Sequence, residues 1–492
     1  AGKSFFLAWR AEVVSCMPSK YPNLSLTTQK GKAYPFRTMN QALAIDIGTS
    51  KISLMQFDIS SMQVIHSASE ENNSLVPLPD HHKHEQDPEK IWSIVQGLLR
   101  QFPSRTSVEF VTITGQVHGI LLIDDAFKPR TNLMTWRDCR NRTNPVGSNY
   151  KLQNGCLVQK GYGGSTLKAL LEEGEQVVND DVQVCTITSF VMGRLCGCYA
   201  IDDTIAATLG VYDIRNKRWN TAQLEELGIP LSLFPPVVPS SAIMGTILPT
   251  VALESGLRET VAVCSPIGDN QASFIGSLGF CPAGLINIGT GGQISVPCTE
   301  ITDNPSIEIR PLPENGYLQV YSSLCGGWAY SYLKDFCKDV LVSFDSSVTD
   351  RAIYEKLDQL ALDADPLHAL LVDTQFLGVR EAPDTFGKIS HIDTSNFTLG
   401  NLSRAFLEGI VRELHPPQIR TDSMGFLVAS GNAVRKSPLM VALIQSEFGC
   451  PVKIAPFLEE ASVGAVLSSA VLFDDERIRE HVHRFYTMHF NR

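Results

Sequence analysis

Two carboxylates and two glycine-rich turns carry the chemistry open to this sequence. Asp46 sits near the end of the apolar run Ala42 to Ile47, and Gly48, Thr49 and Ser50 follow at once. Ile52, Leu54 and Phe57 then resume an apolar pattern, so the stretch reads as strand, tight turn, strand. A carboxylate on a rigid strand, beside a turn with available backbone N–H groups, can hold phosphate and a divalent cation. The same residues also suit an ordinary hairpin whose Asp starts the turn. Leu285 to Ser295, LINIGTGGQIS, repeats the plan with Gly289, Thr290 and Gly291 in the turn. Two such turns, far apart in sequence, can face one nucleotide from two sides.

The second carboxylate is Asp269, in Gly268-Asp269-Asn270-Gln271-Ala272-Ser273. A sugar hydroxyl is a poor nucleophile until its proton has somewhere to go. A carboxylate within hydrogen-bond reach accepts that proton as the O–P bond forms. The competing role is an N-cap, natural for an Asp ahead of a helix. Gln116 and His118, in TGQVHG, offer an amide and an imidazole to a polyhydroxyl ligand; a tight turn with His118 bonded to local backbone is the alternative. Trp136, Arg137 and Asp138, in TWRDCR, combine an aromatic wall with charged groups, which suits a sugar's C–H faces and hydroxyl edges. A surface loop with a structural Trp fits the same residues. Ser430, Gly431 and Asn432 end a short apolar run, where glycine lets a flat base or ribose lie against main chain.

Around these residues the sequence sets out its elements. Asp87 caps a helix with Pro88 at its first position, and Ile91, Trp92, Val95, Leu98 and Leu99 form its apolar face. Val108 to Ile113 is a strand leading into TGQVHG. Gly161 to Ser165 leads into a helix; it is neither a Walker loop nor a dinucleotide fingerprint. Val261 to Ile267 leads into Asp269, and a domain boundary is expected there. Leu402 to Arg412, Pro438 to Phe448 and Ala461 to Ala470 read as helices, the last of them small and apolar enough for tight packing.

Composition narrows the class of partner. The formal net charge is −11, and 19% of residues are charged. No Arg/Lys-rich stripe or basic-aromatic tract favours nucleic acid, and no apolar run reaches membrane-spanning length. The 12 cysteines are scattered, which fits reduced thiols in the cytoplasm. Residues 1–38 do not share the patterning of the rest. They are expected as a disordered leader: either translation starts at Met39 and the segment is a gene-assignment artefact, or it is an organelle presequence. His481, His483 and His489 are expected in a solvated polar tail, 476–492.

Taken together, the ordered motifs from Met39 to about Phe473 resemble the FGGY family of carbohydrate kinases, within the actin-like ATPase clan. The resemblance implies an α/β fold of two actin-like (RNase H-like) domains, with mixed sheets flanked by helices, hinged over a central cleft. The N-terminal domain spans 39–267 and the C-terminal domain 268–475. By the same resemblance Asp46, Gly48, Thr49 and Ser50 form a first phosphate element, and Gly289, Thr290 and Gly291 a second. Gly431, Asn432 and Ala433 lie in the adenosine element, which is less glycine-rich than the family's usual turn. Asp269 matches the catalytic base, with Asp46 and Asp269 near Mg²⁺ through water. Gln116, His118, Trp136, Asp138, Asp269 and Asn270 are the implied sugar contacts. TGQVHG is similar to the GQMHG of xylulokinases and sedoheptulokinases, and GDNQAS to the GDxQAS of sedoheptulokinases. The implied activity is transfer of the γ-phosphoryl group of ATP to a terminal hydroxyl of a ketose, sedoheptulose first and xylulose second. A catalytically weak, nucleotide-gated sugar-binding protein is the rival reading. The expected partners are the sugar and ATP, for a monomer or homodimer.

Overall fold

The computed structural model describes residues 41–491 other than 104, 141–158, 175–180, 303–306, 314–315, 366–369, 379–384, 422–423 and 474. The expected leader lies outside the described residues. The described chain divides into two compact units. The first comprises the described residues up to Gly276 together with Glu459–Val482, and the second is Ser277–Leu458 with the described residues from His483.

The first unit is built on a sheet of β1 (Gln41–Ile47), β2 (Lys51–Asp58), β3 (Gln63–Glu71), β4 (Phe110–Gly115), β5 (Ile243–Thr246), β6 (Ala262–Cys264) and β7 (Ile267–Gly268). The order is β5-β6-β4-β1-β2-β3, and β7 also pairs with β4. β1 is central and its apolar residues are buried, as expected of a strand covered on both faces. It runs antiparallel to β2 and parallel to β4, with Asp46 opposite Thr114 and Ile47 opposite Gly115. β7 is parallel to β4, with Gly268 opposite Gly115. Asp46 and Asp269 therefore lie at the carboxyl ends of parallel strands on either side of β4. Strand spacing puts their backbones about 10 Å apart across the sheet.

Helices cover this sheet where the pattern placed them. In the Pro88–Gln101 helix the Asp87 carboxylate accepts from the Glu89 and Lys90 amides, and Ile91, Trp92, Val95, Leu98 and Leu99 are buried. The Glu460–Ala470 helix packs on β1 and β4, and Thr112 Oγ1 donates to the Ala465 carbonyl at 3.3 Å. It crosses the Asp269–Leu278 helix backbone to backbone. A Cβ at Gly464 would lie 1.7 Å from the Ala272 carbonyl oxygen, and one at Gly276 would lie 1.8 Å from that of Glu460.

The second unit repeats the central theme. Its sheet has β8 (Gly284–Ile288), β9 (Gly292–Cys298), β10 (Glu308–Leu312), β11 (Gly316–Ser323), β12 (Leu427–Ser430) and β13 (Val452–Ile454), ordered β10-β11-β9-β8-β12-β13. β8 and β9 are antiparallel across the Gly289–Gly291 turn, while β12 runs parallel to β8. The helices Leu399–Glu413 and Pro438–Phe448, both expected from sequence, bury Phe406, Leu407 and Ile410 from the first and Leu439, Met440, Leu443, Ile444 and Phe448 from the second. Among the described residues no helix is long and apolar enough to cross a membrane.

The structure differs from the sequence reading in two places. The units part after Gly276, beyond the expected boundary at 267, and Glu459–Val482 returns to the first unit. The Asp269–Leu278 helix follows β7 directly, so Asp269 stays with its own sheet. The expected polar tail is a helix, Asp475–Phe490, in which Val482, Tyr486 and Phe490 are buried. These three recur every fourth residue, but charged neighbours dilute the pattern. His481 bonds the Ile59 carbonyl at 3.0 Å and His489 the Ile454 carbonyl at 3.2 Å, so both are structural.

Candidate active site

The first unit gathers an acidic group at the carboxyl ends of β1 and β7. Desolvation by burial raises the Asp46 carboxyl to about 7; the charges of Asp269 and then Glu459 add to this, and Lys51 opposes it. Lys51 Nζ lies 3.5 Å from Glu459 Oε1. Three carboxylates opposed by one ammonium form a hard-oxygen donor set with excess negative charge, which fits Mg²⁺. Asp46 and Asp269 are the residues that would hold it. The raised pKa also has a sign. The folded state binds the Asp46 proton more tightly than the unfolded chain, so stability present below pH 4 is lost as pH rises toward 7. In metal-free buffer, the slope of stability against pH over that window is expected to flatten in Asp46→Asn. Chemical denaturation at several pH values checks this, and an unchanged slope counts against it.

The turn after β1 is held by a closed polar ring. Thr49 Oγ1 donates to Gln116 Oε1 at 3.2 Å, Gln116 Nε2 donates to Gln86 Oε1 at 2.9 Å, and Gln86 Nε2 donates to the Thr49 carbonyl at 2.9 Å. Trp136 Nε1 donates to Thr49 Oγ1 at 2.9 Å while its ring stays 44% exposed. Gln116 is buried and braces the turn. Trp136 offers an open aromatic face. Gly48 and Thr49 are half-buried and Ser50 is exposed.

Asp138 is fully engaged. Its carboxylate takes the Arg140 guanidinium through two bonds of 2.9 Å and accepts from the amides of His84 and Arg140. It organises the TWRDCR loop from within, where the sequence reading made it a sugar contact. Arg140 continues to Glu85 at 2.5 Å. Gly161, at φ +81°, packs against the same loop: a Cβ there would sit 2.2 Å from the Trp136 carbonyl oxygen. Only a residue without a side chain fits that approach.

His118 and Asp269 are tied to one short helix, Asp203–Ala207. At its start Asp202 is the buried N-cap, accepting from the Thr204 and Ile205 amides. Thr204 Oγ1 donates to Asp202 Oδ2 at 2.5 Å and accepts the Gly268 N–H at 2.9 Å, one residue before Asp269. At its end Thr208 Oγ1 accepts the His118 N–H at 3.1 Å, and the Thr208 carbonyl accepts from His118 Nδ1 at 2.8 Å. This bond places the lone pair of neutral His118 on Nε2. Tyr162 stacks on the imidazole, with ring centroids 4.3 Å apart. Asp269 is half-buried, and its Oδ1 accepts the Asn270 N–H at 2.7 Å. Asn270 is buried beside it.

In the second unit the Gly289–Gly291 turn is fixed by the Gly327–Ser343 helix. Gly327 N–H donates to the Gly289 carbonyl at 2.8 Å and Trp328 N–H to the Thr290 carbonyl at 3.0 Å. With those carbonyls turned toward the helix, Thr290 and Gly291 remain exposed. Gly431, at φ +93°, passes so close to β8 that a Cβ would be 2.4 Å from the Ile288 carbonyl oxygen. Asn432 is exposed and Ala433 half-buried at the start of the Asn432–Lys436 helix. Asn287 Nδ2 donates to Ser430 Oγ at 2.8 Å and ties the two segments together.

Gln86, Thr204, Thr208 and Glu459 were not singled out by sequence. Their partners lie 37, 64, 90 and 408 residues away. No local pattern reports such pairs.

Two mixed α/β sheets, each with a strand–turn–strand centre and flanking helices, define the actin-like ATPase architecture. Residues 41–276 match the N-terminal domain of the FGGY family of carbohydrate kinases. It is 25% identical over 465 residues to the sedoheptulokinase of Mus musculus, covering 86% of this chain and 96% of that one. A glycerol kinase of Carboxydothermus hydrogenoformans is 28% identical over 275 residues, covering 52% of this chain and 53% of its own length. The ligand-bound xylulose kinase of Lactobacillus acidophilus superposes with a TM-score of 0.79 at 17% identity, over 92% of this chain and 96% of that one.

Proposed function

We propose that the protein transfers the γ-phosphoryl group of ATP to a terminal hydroxyl of a ketose, with sedoheptulose as substrate. The observation that carries this reading is the pairing of Asp46 and Asp269 at the carboxyl ends of parallel strands, close enough for one charge to raise the other's pKa. Asp269 accepts the hydroxyl proton as the O–P bond forms. Mg²⁺, when bound, neutralises charge on the phosphates. Gly48, Thr49 and Ser50 take phosphate in the first unit. Gly289, Thr290 and Gly291 take phosphate in the second, and Gly431, Asn432 and Ala433 take adenosine. Trp136 and His118 Nε2 contact the sugar, with Asn270 beside Asp269. Gln116 and Asp138 act by holding those groups in place. The choice of a heptulose rests on TGQVHG, GDNQAS and the near full-length match to a relative named sedoheptulokinase.

A coupled ADP-release assay over sedoheptulose, xylulose, ribulose and glycerol tests this. Sedoheptulose is expected to give the highest kcat/KM. Faster turnover of xylulose would move the assignment to a pentulose kinase. ATP-dependent thermal stabilisation without sugar-stimulated ADP release would support a binding protein instead.

The Asp203–Ala207 helix gives a further expected result. Thr204→Val removes the hydroxyl that holds Gly268 and should lower kcat about ten- to a hundredfold by misplacing Asp269. Thr204→Ser should restore the rate. Steady-state kinetics of both variants check this, and equal rates would remove Thr204 from the positioning of the base.

A further inference from the structure

The turn Asp80–His82 lies outside the site described above, yet its three side chains converge. One carboxylate oxygen and one ring nitrogen from each imidazole lie within 4.8 Å of one another. The two rings are 4.1 Å apart and tilted by 40°. Ligands bound to one Zn²⁺ at about 2.0–2.2 Å sit roughly 3.3–3.6 Å from each other in a tetrahedron. Small rotamer changes close that gap. The main chain beneath is already fixed. His82 N–H donates to Asp80 Oδ1 at 3.0 Å, Lys83 N–H to the Asp80 carbonyl at 3.0 Å, and Cys139 N–H to the His82 carbonyl at 2.7 Å.

The remaining side chains of Asp80-His81-His82-Lys83-His84 are directed elsewhere. Lys83 Nζ reaches Glu173 at 3.4 Å, so the local ammonium is drawn toward another carboxylate. His84 Nδ1 bonds Thr135 Oγ1 at 2.7 Å. His81 is exposed, and Asp80 and His82 are half-buried, so an ion arrives without opening the core.

We propose that Asp80, His81 and His82 form a binding site for a borderline divalent cation, Zn²⁺ foremost. Two imidazoles and a carboxylate match the zinc donor set that leaves a position for water. They do not match Mg²⁺, which takes oxygens in near-octahedral array. The two cation sites of the first unit are thus sorted by ligand chemistry. The His82 and His84 carbonyls accept the Cys139 and Thr135 amides, so an ion here also stiffens the loop that carries Trp136.

Isothermal titration of full-length, EDTA-stripped protein with ZnCl₂, in excess Mg²⁺, tests the proposal. The expected result is one equivalent of Zn²⁺ bound. His81→Ala and His82→Ala should each weaken it more than about tenfold, beyond the loss of a single outer-shell partner. Both variants should keep the wild-type Tm in EDTA. Absence of saturable binding, or equal Zn²⁺ uptake in wild type and both variants, overturns it. Neither result depends on which sugar is phosphorylated.

Discussion

Asp269→Asn is expected to abolish phosphoryl transfer, lowering kcat by about 10²–10⁴-fold, with sugar affinity nearly unchanged. The residue is the first of the Asp269–Leu278 helix and is half-buried. The hydrogen bond from the Asn270 amide to its Oδ1 is of a kind an amide carbonyl also accepts. The substitution thus preserves shape and that bond while removing the proton acceptor. It also removes a neighbouring negative charge from Asp46, whose carboxyl should titrate lower as a result. A helix-terminal role alone predicts the opposite outcome, with turnover persisting and stability nearly unchanged, because Asn serves a helix start about as well as Asp. Single-turnover transfer, sugar affinity by calorimetry and Tm should be measured on one preparation. Near-normal transfer would remove Asp269 as the base.

The second large effect is structural. Gly464→Val should cost about 3 kcal/mol or more, at the upper end of overpacking, or leave no soluble protein. Its Cβ would meet the Ala272 carbonyl oxygen at 1.7 Å and the Gly276 amide nitrogen at 2.6 Å. Both are main-chain atoms of a helix and cannot rotate away. Gly97 in the Pro88–Gln101 helix is the control. Nothing lies within 4 Å of its Cβ position, so Gly97→Ala should gain about 0.5–1 kcal/mol through helix propensity. Urea denaturation of the two variants compares them directly. A wild-type midpoint for Gly464→Val would contradict the backbone-to-backbone crossing.

Much of this was legible because it is local. Ala42 to Phe57 and Leu285 to Ser295 show their strands and turns through apolar runs broken by glycine. Asp87-Pro88 announces a helix start by capping chemistry. Asp269 was legible as a candidate base, though only the pairing of β7 with β4 puts it near Asp46. Asp138 reads as a free charge until Arg140 is seen folded onto it. Gln116 reads as an open amide until Gln86 and Thr49 occupy it. Phe490 and Tyr486 were obscured because six charged residues and three histidines from Asp475 to His489 outweigh three apolar positions in any average. Sequence therefore reported elements and chemical types well. It could not report which polar groups had already found partners.

Because Glu459–Val482 completes the first unit, biosynthesis imposes an order on assembly. The growing polypeptide has finished β1 to β7 long before the ribosome makes the Glu460–Ala470 helix that covers β1 and β4. The strands of the second sheet are all translated in that interval. The sheet that carries Asp46 and Asp269 thus waits for chain made after every strand of the second sheet, and a message truncated before the codon for Glu459 yields a protein with both acids present and that face bare.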